Sequence, residues 1–183
     1  MSVNDWVVPA PIYEYLSSTG KGASTGGTNA VGDYSTATGS SGEIFHITPG
    51  STEVYRINRM MVHVQDTGAF AAEEYGNLSA LTNGVQVRVQ SDTGTIIDLT
   101  AVNVKTNAQW GRTSYDVRVD TWSVGDEFLS ARWTFAKAGY PLRLSGANSE
   151  RLEVYLQDSC TGLVAHNFYV NGYKEDAAYD EFQ

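Results

Sequence analysis

From residue 44 onward, apolar and polar residues alternate with a period of two along most of the chain. Val85, Val87 and Val89 are separated by Gln86, Arg88 and Gln90. Leu129, Ala131, Trp133 and Phe135 are separated by Ser130, Arg132 and Thr134. Tyr115, Val117 and Val119 alternate with Asp116, Arg118 and Asp120, and Phe168 and Val170 with Asn167 and Asn171. Leu152, Val154 and Leu156 form a further row, with Arg151, Glu153 and Gln157 as its polar members. This period marks a strand with one face turned to a core. In the long run Val54–Val64 the apolar phase moves from Tyr55 and Ile57 to Met60, Val62 and Val64. One extra residue in a strand produces such a shift, so a β-bulge is expected near Asn58–Arg59.

Turn signals separate these runs: Asp66-Thr67-Gly68, Asn83-Gly84, Asp92-Thr93-Gly94, Gly125-Asp126, Ala138-Gly139 and Gly146-Ala147-Asn148. Glycine, asparagine and aspartate tolerate turn backbones that other residues resist. Val85–Asp98, centred on Asp92-Thr93-Gly94, reads as a hairpin. The count is eight or nine strands, and no segment holds a sustained helical period. At most, Ala69–Tyr75 or Asn103–Trp110 forms a short turn of helix. The expected fold is all-β: an antiparallel β-sandwich, jelly-roll-like, behind an extended and flexible N-terminal arm.

The arm is expected over residues 1–43. Its first part, residues 1–16, carries Trp6, Val7, Val8, Ile12, Tyr13, Tyr15 and Leu16 around Pro9 and Pro11. Its second part, residues 17–43, contains seven Gly, six Ser and five Thr among 27 residues. That composition cannot bury enough apolar surface to offset its ordering entropy, so it reads as a flexible linker. Residues 44–175 form the sandwich domain, and residues 176–183 an acidic tail.

Charge narrows the function. The 183-residue chain has a formal net charge of −9, and its twelve Lys and Arg are scattered singly. Gripping a phosphate backbone requires clustered cations, so direct nucleic-acid binding is not expected. No apolar run reaches the ~18 residues of a membrane span. The N-terminus has neither the basic region nor the apolar core of a signal peptide, and a cytoplasmic site of synthesis and assembly is expected. Without a second cysteine, Cys160 forms no intrachain disulfide and reads as a small buried hydrophobe.

Candidate chemistry is sparse. His46, His63 and His166 lie far apart, in no metal-ligand spacing. Ser18-Thr19-Gly20-Lys21-Gly22-Ala23-Ser24 imitates a phosphate loop, but Gly22 stands where a hydroxyl residue is needed and no strand precedes it. Asn77-Leu78-Ser79 matches a glycosylation sequon without a secretion signal. Glu73, Glu74, Asp116, Asp120, Asp126 and Glu127 supply carboxylates, mostly on solvent faces or in turns. A glycosidase pair would require two of them facing each other at a set separation. No catalytic residue, metal site or cofactor is therefore expected. Trp110 and Trp122 flank the Tyr115–Asp120 strand and read either as core or as exposed contacts for a sugar ring or a protein surface.

Apolar anchors on a tether are stabilised by docking on a neighbouring subunit, or by folding back on their own sandwich as an extra edge strand. Trp6, Val7, Val8, Ile12, Tyr13, Tyr15, Trp110 and Trp122 are the interface candidates on the first reading.

The stretch Tyr55-Arg56-Ile57-Asn58-Arg59-Met60-Met61-Val62-His63-Val64-Gln65-Asp66-Thr67-Gly68, followed by Leu81-Thr82-Asn83-Gly84-Val85, is similar to stretches of structural proteins of tailed bacteriophages. Arg132-Trp133-Thr134-Phe135-Ala136-Lys137 adds to the likeness. The resemblance covers most of the body and implies a small β-sandwich virion protein. A head decoration (cement) protein fits first, with a tail, fibre or adhesin module binding host glycans as the alternative. It further implies a homo-oligomer, with a trimer favoured, capsid or other virion proteins as partners, location on the virion, and no enzymatic activity. A carbohydrate-active enzyme on a jelly-roll scaffold is the third reading.

Overall fold

A computed structural model describes residues 10–15, 17–18, 43–66, 68, 70–110, 117–121, 127–160, 163 and 165–180. Trp6, Val7, Val8, Trp122 and most of the expected linker lie outside the described residues, as do the last three residues.

Eleven strands are described. In chain order they are β1 (Ala10–Tyr15), β2 (Ser17–Ser18), β3 (Glu43–Ile47), β4 (Glu53–Asp66), β5 (Val85–Ser91), β6 (Gly94–Asp98), β7 (Val117–Thr121), β8 (Glu127–Thr134), β9 (Leu142–Ser145), β10 (Arg151–Leu156) and β11 (Ala165–Asp176). Two one-turn helices, α1 (Asn107–Trp110) and α2 (Ala177–Asp180), accompany them. The first sheet runs β1-β11-β4-β8-β7, with β9 also paired to β4, and the second runs β2-β3-β10-β5-β6. Every strand pair is antiparallel. β4 pairs with β11 in one sheet while β5 pairs with β10 in the other. This nested pairing of early with late strands is the rolled relation of a jelly-roll-like sandwich.

The sheets close on a shared apolar layer. Val62, Val64, Leu129, Ala131, Trp133, Phe168 and Val170 from the first face Phe45, Ile47, Val85, Val87, Val89, Leu152, Val154 and Leu156 from the second. The Phe45 and Phe168 rings meet across the gap at 4.6 Å. Each fully buried side chain of this size contributes roughly 1.5–3 kcal/mol, so the layer drives the fold.

The expected bulge is present. Asn171 of β11 pairs with Arg59 and the next residue, Gly172, with Ile57, which leaves Asn58 as the extra residue. Beyond it the buried phase passes from Ile57 to Met60, Val62 and Val64. The same point divides β4's other edge: β9 pairs with Val54–Ile57, and β8 with Arg59–Asp66. Gly172 fits because the backbones converge here; a Cβ on it would stand 2.1 Å from the Arg56 carbonyl oxygen. The expected hairpin is also found, with Ser91 against Gly94 and Asp92-Thr93 as the two-residue turn. Its second strand carries a bulge of its own at Ile96, between Thr95 paired to Gln90 and Ile97 paired to Val89.

The arm boundary changes. Residues 10–15 and 17–18, assigned by sequence to the arm, are strands of the sandwich itself. β1 lies along β11, from Ala10 against Lys174 to Tyr15 against Tyr169. One residue later β2 lies on β3, with Ser17 against His46 and Ser18 against Phe45. One short segment therefore forms an edge of both sheets. Pro11, which has no N–H, suits an edge strand. At the other end, β11 and α2 carry regular structure into the expected acidic tail.

Candidate functional site

The interface candidates separate into three groups. Trp6, Val7, Val8 and Trp122 are outside the described residues. Tyr13 and Tyr15 are placed by backbone register, against Asn171 and Tyr169 of their own chain. Ile12 and Trp110 have described side chains, and both are core residues. Ile12 stands opposite Gly172 and is 4% exposed. Within the single chain its side chain belongs to the sandwich core. Trp110 is 0% exposed, packed edge-on to Trp133 at 5.7 Å. Of the two readings held for Trp110, the core one describes its place, and it is not available to stack on a sugar.

Trp110 reaches that place through a polar lock. The Asn107 side chain accepts from the Gly76 N–H at 2.9 Å and donates to the Ala71 carbonyl at 2.9 Å. Backbone bonds from Asn107 to Glu74 and from Ala108 to Ala72 tie α1 to the same loop. Gln109 Oε1 accepts from the backbone N–H groups of Lys105 and Thr106. Without these bonds a four-residue helix would be marginal, since its backbone groups largely lack helical partners.

From Trp110 a chain of ring contacts crosses the core. Tyr75 lies 6.4 Å from Trp110, His166 5.6 Å from Tyr75, and Phe168 4.7 Å from His166. The Tyr75 hydroxyl and His166 Nε2 share a hydrogen bond of 2.6 Å. Burial pushes the His166 imidazole down to about 3, with His63 adding to the shift. Burial likewise raises the Tyr75 phenol, and Cys160 reinforces it. His166 is thus a neutral core histidine at physiological pH. Cys160 is buried as well, its thiol pushed up to about 12 by burial and then by Asp158, so the nucleophilic thiolate is absent at neutral pH.

His63 and Ser130 form a nucleophile-and-base pair in outline. His63 Nδ1 lies 3.0 Å from Ser130 Oγ, and the imidazole packs against Phe128. Burial lowers the His63 pKa, which leaves a neutral ring able to accept a proton. Ser130, however, is 2% exposed, so a substrate carbonyl cannot reach its hydroxyl without local opening. The pair ties β4 to β8.

Two carboxylates also prove structural. Glu153, which the alternation counts as a polar member of its strand, is fully buried. Arg88 Nε donates to it at 3.0 Å and Arg151 Nε at 2.5 Å, while the Arg88 guanidinium lies 4.7 Å over the Tyr155 ring. The arginines bury the carboxylate against neighbouring strands, a geometry that costs several kcal/mol when one partner is removed. Asp158 accepts from three successive backbone N–H groups: Thr82 at 3.1 Å, Asn83 at 3.0 Å and Gly84 at 2.6 Å. It fixes the turn that begins β5.

Among the six acids considered from sequence, Glu73 and Glu74 have described side chains, and they lie in the exposed turn before Tyr75. Among the described residues, no group of three or more His, Cys, Asp or Glu could hold a metal ion. No helix among them is long and apolar enough to cross a membrane. Among the described residues, the exposed large apolar side chains are Ile96, Ile97, Val102 and Tyr140.

Sequence reading missed Asp158, Glu153 and Asn107, which are single polar residues in turns or polar rows. The local signal for Asp158 is a carboxylate two residues beyond a strand, and its three donors lie some 75 positions away. No family model, no curated protein and no solved structure matches the chain.

Proposed function

We propose that this chain is a non-enzymatic structural subunit of a tailed-bacteriophage virion, a capsid decoration protein that stabilises the head through subunit–subunit contacts. The observation that carries the reading is the placement of residues 10–18. They supply an edge strand to each sheet, and 24 residues separate them from the strand on which they end. A self-contained sandwich has no need of so long a connection, whereas an assembling subunit uses its length to reach a neighbour. The phage-like stretches Tyr55–Gly68 and Arg132–Lys137 support the same reading. So does the use of the described Glu153, Asp158, Cys160, His63 and His166 in internal contacts. The acidic surface suits a basic shell.

Quantitative mass spectrometry of purified particles from cells carrying the gene tests this. The expected result is the chain at a fixed, high ratio to the major shell protein. Particles lacking this chain would then lose genome more readily on heating. Intact particles free of the chain, with the protein confined to the soluble fraction, would sink the proposal.

A further inference from the structure

We infer that β1 and β2 are exchanged between copies of this chain in its assembled form, so that each sandwich is completed by its neighbour's residues 10–18. The inference rests on the assembly reading above and names the partner as a second copy.

The register carries the argument. β2 is antiparallel to β3, with Ser17 against His46 and Ser18 against Phe45. Ser18 therefore lies beside the start of β3, since Phe45 is the third residue of that strand. A turn of about two to five residues would close this hairpin within one chain. Residues 19–42 intervene instead, 24 of them. Fully extended, that many residues span roughly 80 Å. A domain of this length is only about 40 Å across. The connection is too long for the hairpin it closes and long enough to reach the equivalent edge of an adjoining copy.

The donated unit is well defined. One residue separates β1 from β2, so the two travel together and cap both sheets in a single step. The receiving edge is equally well defined. β11 offers Tyr169–Lys174 to β1, with Gly172 opposite the buried Ile12. Every contact made within one chain can be made identically between two, so exchange changes connectivity without changing the fold. What decides the outcome is local concentration. A tether holds its own strand at about millimolar effective concentration, and a neighbour fixed in an oligomer presents a competing edge at a comparable level.

Disulfide trapping in the full chain tests this. In a Cys160→Ala background, Ala10→Cys with Lys174→Cys, and separately Tyr13→Cys with Asn171→Cys, place thiols at register partners. The two pairs lie three residues apart in the ladder, so one of them is the closer, non-hydrogen-bonded type. The chains are assembled at high concentration, oxidised, and run on a denaturing non-reducing gel after sizing by light scattering. Exchange predicts covalent dimers or longer products. It also predicts a covalent heterodimer when Ala10→Cys and Lys174→Cys single variants are refolded together. An oligomer whose oxidised chains all migrate as monomers overturns the exchange and leaves the assembly reading standing. A monomer at every concentration, cross-linked within itself, overturns both.

Discussion

Asp158→Ala removes the acceptor shared by three consecutive backbone donors, and its cost can be worked from the geometry. The Gly84 N–H donates to Oδ2 at 2.6 Å in a buried position, so losing the carboxylate removes its acceptor. Hydrogen bonds to a charged group contribute roughly 1.5–3 kcal/mol, and a buried donor left unpaired forfeits its hydration as well. Thr82 is exposed and Asn83 half-buried, so water recovers most of their two bonds, at about 0.5–1 kcal/mol each. The sum is about 2.5–5 kcal/mol, a large part of a typical stability of about 5–15 kcal/mol. For a chain of this size that corresponds to a fall in Tm of about 10 °C. Asp158→Asn keeps one acceptor oxygen but turns an amide N–H₂ toward the same donors, so about half the loss is expected. Asp92→Ala, in the exposed hairpin turn, is the control and costs less than about 0.5 kcal/mol. Urea unfolding followed by tryptophan fluorescence measures all three, at one protein concentration because association shifts apparent stability. A loss below 1 kcal/mol for Asp158→Ala would refute the assignment of Asp158 as the anchor of the β5 turn.

Three further outcomes follow from the core. His166 titrates near 6.5 when unfolded and at about 3 when folded, so its contribution is intact above pH 6.5 and is lost progressively as the pH falls toward 3. At pH 4.5 the loss is about 2–3 kcal/mol, His63 acts in the same direction, and His166→Gln should flatten the pH dependence of the urea midpoint. Gly172→Ala should destabilise by about 2–3 kcal/mol, because its Cβ meets the Arg56 carbonyl carbon and oxygen at the bulge. Gly139→Ala, with a φ of +91° but nothing within 4 Å, should cost only about 1 kcal/mol in the same assay. Cys160 should resist a thiol reagent at pH 8 in the native protein and react fully in urea, and rapid native labelling would contradict its burial.

Strands whose polar and apolar residues alternate cleanly were legible because their period reports one buried face. The β4 bulge was legible for the same reason: inserting Asn58 moves every later apolar residue to the opposite parity, and the core does not tolerate such a slip. Glu153 was misread by that logic. Alternation identifies the face of a sheet, but it cannot show that Arg88 on the neighbouring β5 and Arg151 on the same strand cover the carboxylate there. β9 is four residues long, with Leu142 and Leu144 as its apolar positions, too short to stand out from a turn. Ile12 carried two readings, since an isolated apolar residue in a Pro-containing segment says nothing about which chain's core receives it. Trp110 was similarly open until Asn107, held to Ala71 and Gly76, fixed α1 over the core.

The edges of the two sheets explain why removing residues 1–18 would be a poor test of assembly. Long, regular edges are templates for uncontrolled pairing, and β-proteins blunt them. β2 is two residues long, β1 contains Pro11, and β6 is broken by its bulge at Ile96. The edge that β1 covers is different: β11 pairs six consecutive residues with it, Tyr169–Lys174, next to the Phe168–Phe45 contact. Deletion would bare that row of backbone donors and acceptors and uncover the core at Ile12. The truncated chain would then fail through aggregation, whatever residues 10–18 do for a neighbour. Substituting Ile12 alone is cleaner. Ile12→Ala removes roughly 2–4 kcal/mol of core packing while leaving the β1 backbone able to pair. If the strand is exchanged, that loss weakens the union between copies, so the oligomer should dissociate at higher protein concentration than the parent. If it is not exchanged, the urea midpoint falls and the dissociation concentration stays where it was.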